Sequence, residues 1–274
     1  MIWIRFQLLV LLALCLLVFV SCSRPEERPA VLIEAESAFS RGSYLESEKL
    51  YERYLQAYPE GEHRFESWNR LLAVSRFIRR SPLRSVELLE AMHLEFGDDR
   101  EHSKTILFEL AAEHTRHRQF EKAASVYERI LQLEGLGNTD EFIARKELFR
   151  ISRGLGDFEA ARAILGPALD LDLSALQRAE VLYDMANLAL YQQEDQVAEE
   201  YLQTILGMPE AAESEVVVLA TYALADLFER SGRVDQARAL FLSIRKSHPN
   251  PPVVESRLKH LPELSREENS SEKP

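Results

Sequence analysis

The sequence predicts an all-α fold of about six helix–turn–helix units, and three observations support this prediction. A small residue recurs at intervals of 37 to 39 residues, apolar residues stand at helical spacings around it, and glycines and prolines stand at fixed positions between the apolar stretches. Self-similarity at such a period is typical of an α-solenoid, in which each unit buries its apolar face only against its neighbours. A chain of 274 residues with 46% hydrophobic residues can bury such a core.

The recurring small residue predicts the second helix of each unit. Large apolar residues follow it by four and by seven residues, as Tyr51 and Tyr54 do in the first unit, and these spacings share one helix face. A small side chain among large ones lets a neighbouring helix approach closely. The six small residues are Ser47, Ser85, Ala123, Ala161, Ala198 and Ala237.

The first helix of each unit is predicted around a position twelve residues before the small residue. That position is small or apolar, and it lies within another apolar stretch of helical spacing. Its occupants are Ala35, Ala73, Ala111, Phe149, Ala186 and Ala225.

Glycine and proline predict where the helices end. Gly42, Gly156 and Gly232 each stand five residues before the small residue, and glycine accepts the positive φ that ends a helix. Pro59 and Pro249 stand twelve residues after it, where a unit closes. No stretch alternates apolar and polar residues convincingly enough to predict a strand.

Two units carry a family resemblance most clearly. The first unit resembles a tetratricopeptide repeat through Gly42, Tyr44, Ser47, Tyr51, Tyr54 and Pro59, and the last through Gly232, Ala237, Phe241 and Pro249. The resemblance covers about residues 30–250 and implies a right-handed α-solenoid of about six repeats within residues 30–261, which binds proteins rather than catalysing a reaction. The period of about 38 exceeds the 34 residues typical of the family. Residues 253–261 predict a C-terminal capping helix.

The second and fourth units depart from the family pattern. Arg80 stands in place of the turn glycine, Phe149 in place of the small first-helix residue, and Gly166 with Pro167 interrupts a second helix. We expect these repeats to deviate locally from the others.

The N-terminus predicts export. Residues 8–20 are thirteen consecutive apolar residues, which suits a signal-peptide core better than a membrane span. The segment from Phe19 to Cys22 resembles a bacterial lipoprotein signal. This resemblance implies a signal peptide over residues 1–21, acylation of Cys22, for example with palmitate, and a lipidated tether over residues 22–29. The alternative is an uncleaved anchor beginning at Ile2. Residues 262–274 predict a disordered tail.

Charge and motifs argue against several function classes. The formal net charge is −12, with 33 basic and 45 acidic residues, so nucleic acid is a poor partner. No catalytic motif or cofactor-binding motif is present. His114 and His117 with Glu113 could suggest a metal site, but His114 stands at the packing position that Phe228 holds in the last unit. The sequence therefore predicts no catalytic residue, no metal and no cofactor.

Two charged patterns are candidate sites. Arg76, Arg79 and Arg80 belong to a basic amphipathic stretch that could face a membrane, the alternative being a solvated face paired with glutamates. The second pattern uses the groove-facing positions of the family. Applied to units four to six, these positions predict a partner-binding groove for an acidic or carboxylate-ended peptide, at Lys146, Arg150, Arg153, Tyr183, Asn187, Tyr191 and Tyr222.

The alternative for this groove is that its cations pair with Glu141 and Glu147 of the same helix, or with acids of the third unit. The pattern also differs from the carboxylate clamp of the family, because Asp184 stands where an amide would be expected.

Together these observations predict a lipid-anchored adaptor of the bacterial cell envelope, facing the periplasm, that holds envelope proteins or peptides in an outer-membrane assembly or wall-related complex. Ser23 after the acylated cysteine favours the outer membrane by analogy with enteric bacteria. One alternative is an inner-membrane, signal-anchored chaperone or translocon accessory with the same repeats. Another is an enzyme or small-ligand-binding protein that uses the groove.

Overall fold

The computed structural model describes residues 28–261. The predicted signal peptide, the lipid attachment at Cys22 and the predicted disordered tail lie outside these residues and stay predictions. The chain divides into two compact units, which meet in sequence between Phe96 and Gly97.

Within its described residues, 28–96, the first unit contains four α-helices. They are α1 (Ala30–Ser40), α2 (Tyr44–Ala57), α3 (Arg64–Ala73) and α4 (Pro82–Phe96), and a π-helical segment, Val74–Arg79, continues α3. α1 packs against α2, and α3 packs against both α2 and α4.

The second unit contains nine α-helices within residues 97–261, each packed against the next. They are α5 (Arg100–Arg116), α6 (Phe120–Leu131), α7 (Asn138–Gly154), α8 (Phe158–Leu165), α9 (Ala175–Tyr191), α10 (Asp195–Leu206), α11 (Glu215–Arg230), α12 (Val234–Ile244) and α13 (Pro251–His260). Short 3₁₀ helices, Gly166–Asp170 and Pro209–Ala211, follow α8 and α10. The prediction of an all-α solenoid is confirmed, since the described residues contain no strand.

The recurring small residue marks the closest packing within each helical pair. All six of its occurrences are fully buried, at 0% exposure, and the apolar residues that follow them by four and seven positions are buried as well. In the first pair the Ser47 hydroxyl donates a hydrogen bond of 2.9 Å to the Ala35 carbonyl, across the two helices. Val254 of α13 is buried in the same core as Phe241, as a capping helix requires.

Each pair turns through one left-handed residue. The residue five positions before the small residue has a positive φ in all six pairs, between 48° and 83°. Arg80, Arg118 and Gln193 adopt this conformation without being glycine. The fold therefore requires the left-handed turn even where no glycine in the sequence predicts it.

The turn of the second pair contains one additional residue. In the other five pairs the N–H after the left-handed residue donates to the carbonyl five residues earlier, as Gln119 does to His114. In the second pair the N–H of Ser81 reaches Ser75, six residues earlier, and the π-helical segment accommodates the difference. The register of α3 is thereby shifted, and Leu72 rather than the predicted Ala73 takes the buried first-helix position.

Gly154 and Gly156, near the end of α7, allow the effect of backbone strain to be measured without a change in packing. Gly156 has a φ of +83°, Gly154 is helical, and no heavy atom lies within 4 Å of a Cβ built on either residue. We expect Gly156→Ala to lower the free energy of unfolding by about 1–2 kcal/mol, because alanine is strained in the left-handed region. The matched control Gly154→Ala should raise it by up to about 1 kcal/mol. Urea denaturation measures both, and an equal effect of the two variants would contradict the assigned turn.

Candidate functional site

The second unit contains a groove of about 750 Å³ between α5 and α7, with α6 below it. This volume is typical of ligand-binding clefts. Its lining residues are Lys104, Thr105, Phe108, Glu109, Ala112, Thr115, Arg116, Tyr127, Asp140, Ile143 and Glu147. The groove therefore joins two consecutive helical pairs and is the candidate functional site.

Helical spacing places an apolar centre in the groove. Thr105, Phe108 and Ala112 follow one another by three and four residues, so they share a face of α5. Tyr127 rises from α6, where it follows the buried Ala123 by four residues, and its ring meets the Phe108 ring edge-on at 6.4 Å. Ile143 of α7 is exposed on the opposite wall. An apolar side chain of a ligand could be buried between these residues.

Tyr127 stays a neutral phenol. Burial raises the pKa of Tyr127, and the negative charge of Glu147 raises it further, against smaller opposing contributions from Thr115 and Arg150. The floor of the groove is consequently aromatic and uncharged, which suits binding of apolar groups better than proton transfer.

Ion pairs within the chain neutralise the charged rim. The Lys104 Nζ lies 3.0 Å from carboxylate oxygens of both Glu101 and Asp140. Hydrogen bonds to these two carboxylates raise the pKa of Lys104, so it remains charged and paired. Arg116 pairs with the buried Glu113 in the same way.

The predicted cations of α7 also have partners within the chain. Lys146 pairs with Glu180 of α9, and the Arg150 guanidinium lies 2.6 Å from Glu147. Arg153 lies over the ring of Phe149, 5.6 Å from its centroid. The pairing of Arg150 with Glu147 agrees with the alternative for this face, whereas Glu141 accepts a hydrogen bond of 2.8 Å from Arg145.

The predicted groove residues of α9 and α11 lie in different surroundings. Tyr183 and Asn187 are half-buried on α9, and the exposed Tyr191 at its end has its ring 4.5 Å from the Phe158 ring. Tyr222 packs against Phe241 and His248, with ring centroids 5.4 and 5.0 Å apart. The latter tyrosine is thus part of the packing of the last repeat.

Asp184 is a partly buried carboxyl beside the α7 cations. Burial raises its pKa above the ordinary 3.8, although Lys146 and Arg153 act in the opposite direction and Glu180 adds to the rise. Ionisation of Asp184 therefore opposes folding once the pH exceeds 3.8.

We expect Asp184→Asn to raise the urea midpoint at pH 7, since asparagine removes the cost of the buried charge. The gain should fall away below pH 3.8, where the aspartate is protonated in both the folded and the unfolded state. The exposed Asp172 offers a control, because Asp172→Asn should leave the midpoint nearly unchanged. A gain at Asp184 that is the same at pH 3 and pH 7 would contradict this interpretation.

The predicted basic stretch lies in the first unit, around the additional turn residue. Arg79 pairs with Glu48 of α2 through two contacts of 2.7 and 2.8 Å. Arg76 is half-buried and Arg80 is exposed at the left-handed turn position. The Arg79 pair agrees with the alternative of a face paired with glutamates, whereas a membrane-facing role of the stretch stays a prediction.

His114 and His117 take part in packing and local hydrogen bonding. His114 is buried with its Nδ1 2.7 Å from Gln119 Oε1, and the His117 Nε2 lies 3.0 Å from Glu113 Oε1. Within residues 28–261, no group of three histidine, cysteine or acidic side chains is placed to hold a metal ion.

The groove residues on α5 are not among the residues predicted from the sequence, although their spacing could have identified them. The predicted residues Lys146, Arg150 and Arg153 precede their small residue by fifteen, eleven and eight positions. The same spacing one repeat earlier gives Phe108, Ala112 and Thr115, all of which line the groove.

Comparisons with known proteins agree with this fold. A family model described as tetratricopeptide repeat matches residues 183–252. A search of curated protein sequences gave no significant match. The solved structure of the apo form of RapI is similar with a TM-score of 0.60 at 10% identity, covering 84% of this chain and 79% of RapI.

Two further solved structures show the same arrangement of helices. BtubC (BKLC) from P. vanneervenii has a TM-score of 0.53 at 20% identity, over 81% of this chain and 95% of its own. YrrB, described as a TPR protein with an unusual peptide-binding site, has a TM-score of 0.53 at 10% identity, over 75% and 97%. Residues 183–252 therefore match the tetratricopeptide repeat model, and the described helical pairs have the α-solenoid fold of these solved structures.

Proposed function

We propose that this protein is an interaction scaffold that binds a peptide segment of a protein partner in the groove between α5 and α7. The observation that carries the proposal is the groove itself, about 750 Å³ with Phe108, Tyr127 and Ile143 at its centre. Rigid aromatic side chains of this kind are enriched where proteins bind one another. The likeness to YrrB supports the fold of such a scaffold and nothing more specific.

The ligand that suits this groove is a peptide with an apolar or aromatic anchor side chain. The cations at its rim are already paired with acids, so a strongly acidic ligand would have to displace those pairs. An apolar anchor needs no such exchange, since it only removes apolar surface from water. The acidity of the partner stays a prediction from the sequence.

We further propose that the scaffold is lipid-anchored at Cys22 and faces the periplasm, at the outer membrane of a bacterial envelope. The support is the apolar run at residues 8–20 followed by the lipoprotein-like segment that ends at Cys22. Within residues 28–261 no helix combines the length and apolar character needed to cross a bilayer.

Site-specific photocrosslinking in cells of the source organism tests the groove. A photoreactive amino acid at Ile143, inside the groove, should give a discrete adduct with a protein partner. The same amino acid at Leu155, which is also exposed but lies outside the groove, is the matched control and should give none.

A third variant distinguishes binding in the groove from crosslinking to a protein that is only nearby. Thr105 is exposed on the wall of the groove, so Thr105→Arg fills the groove without altering the core. We expect it to remove the adduct at position 143. An adduct that persists in this variant, or forms equally at Leu155, would contradict the proposed site.

A further inference from the structure

The first unit exposes an apolar tip between α3 and α4, which we call the α3–α4 tip and define as residues 76–84. Phe77 is 75% exposed and Leu83 is 71% exposed, and Ile78 between them is exposed as well. Three large apolar side chains in so short a segment lie outside the packing that the repeat requires. Exposed apolar clusters of this kind mark interaction sites.

The tip is built into the fold by the additional residue of its turn. The π-helical segment ends at Arg79, and Arg80 then adopts the left-handed conformation. Below the tip, the buried Ser75 and Ser85 hydroxyls are 2.9 Å apart and tie the end of α3 to α4. π-helical insertions of this kind occur frequently at functional sites.

The apolar side chains of the tip are interleaved with cations. Residues 76–84 contain four arginines and no acidic residue. Arg79 and Arg84 are held by Glu48 and Glu52 of α2, at 2.7 and 2.9 Å. Arg80 projects from the exposed turn itself. The tip therefore combines apolar insertion with positive charge, the combination that binds anionic lipid surfaces.

We propose that the α3–α4 tip docks on an anionic membrane surface, with Phe77, Ile78 and Leu83 at the boundary between headgroups and acyl chains and Arg80 at the phosphates. This inference rests on the membrane anchorage in the proposed function, but not on the groove or its partner. A membrane is the chosen occupant because the exposed Arg80, among apolar side chains, complements anionic headgroups and because a thirteen-residue apolar run precedes the described residues.

The anchored chain can reach this position. Arg79 pairs with Glu48 in the first half of α2, and α2 begins where α1 ends, so the tip lies toward the end of α1 that is remote from Ala30. The eleven residues of α1 extend about 16 Å. Seven residues lie between Cys22 and Ala30, and the eight Cα–Cα steps can span up to about 27 Å. A membrane that holds Cys22 therefore lies within reach of the tip.

Depth-dependent fluorescence quenching with the full-length chain tests the proposal. The chain is reconstituted into phosphatidylcholine vesicles with about one third phosphatidylglycerol, and some lipids carry brominated acyl chains. An environment-sensitive fluorescent amino acid replaces Phe77 in one sample. In the control it replaces Leu94, which is 88% exposed on the same unit but lies about 16 Å along α4 from Leu83.

We expect strong quenching at position 77 and none at position 94. Arg80→Gln should reduce the ratio of docked to undocked tip about fivefold, and vesicles without phosphatidylglycerol should reduce it further. Absence of quenching at 77, or equal quenching at both positions, would overturn the proposal. So would a spectral shift at position 77 that depends on protein concentration without vesicles, because it would assign the tip to a second copy of the chain. Photocrosslinking at Ile143 is independent of all these outcomes.

Discussion

Phe241→Ala is expected to lower the free energy of unfolding by about 3–5 kcal/mol, which is the usual cost of removing a buried aromatic side chain. Phe241 is fully buried in α12 and belongs to the core shared by α9 to α13. Its ring meets Tyr222 of α11 edge-on at 5.4 Å and lies below the guanidinium of Arg257 of α13, 6.0 Å away. One substitution therefore weakens the packing of three consecutive helices.

The loss should be local, because repeats of a solenoid are stabilised by their immediate neighbours. Urea denaturation gives the total change, and native-state hydrogen exchange should show faster opening of α11–α13 than of α5–α7. Leu242→Ala is the matched control, since the adjacent Leu242 is 54% exposed and its truncation should cost less than about 0.5 kcal/mol. Uniform acceleration across the second unit would contradict a terminal repeat that opens by itself.

Cys22→Ser is expected to abolish lipid attachment and to release the protein from the membrane fraction or leave it as an uncleaved precursor. A thioether-linked lipid needs the cysteine sulfur, and more than one acyl chain is needed for stable anchoring. Mass spectrometry of the wild-type N-terminus should find an acylated Cys22, with residues 1–21 absent. Membrane fractionation of the variant completes the measurement.

The only other cysteine of the chain provides the control. Cys15 lies within the apolar run of the predicted signal peptide, and Cys15→Ser should leave processing and acylation intact. An unmodified chain that begins at Met1 in the membrane fraction would disprove the lipoprotein prediction. It would favour the inner-membrane signal-anchored alternative.

The sequence was sufficient to predict the helical pairs because their register depends on side-chain volume. A residue such as Ala198 must be small where two helices touch, and no distant contact changes that requirement. The interruption at Gly166 is confirmed for the same kind of reason, since α8 ends at Leu165 and a 3₁₀ helix begins at Gly166. Local chemistry determined both features.

The candidate site was harder to predict because its character depends on pairing between repeats. Lys146 looks like a free cation in sequence, whereas in the fold it meets Glu180, 34 residues later. Arg233 and Glu199 are also 34 residues apart and form a 2.6 Å ion pair. The spacing of the charged residues predicts a binding site, but these ion pairs neutralise their charges. The uncharged centre around Phe108 carried a weaker signal.

The sequence predicts the basic stretch of Arg76, Arg79 and Arg80, but not the exposure of the apolar side chains between them. Phe77 falls at an apolar position of a regular helix, and nothing in the spacing announces that Val74–Arg79 is π-helical. One inserted residue rotates the following side chains relative to the core, so residues of apolar character become exposed. The same insertion makes the turn of the second repeat one residue longer than the other five turns.

The left-handed turns also carry information about which side chains the protein retains. Arg80, Arg118 and Gln193 occupy a conformation that costs a residue with a side chain about 1–2 kcal/mol relative to glycine. Substitution of glycine at these three turns would therefore raise the free energy of unfolding without changing the packed core. At position 80, glycine would also remove an exposed cation from the α3–α4 tip. The arginine therefore keeps a positive charge at the protein surface at the cost of backbone strain.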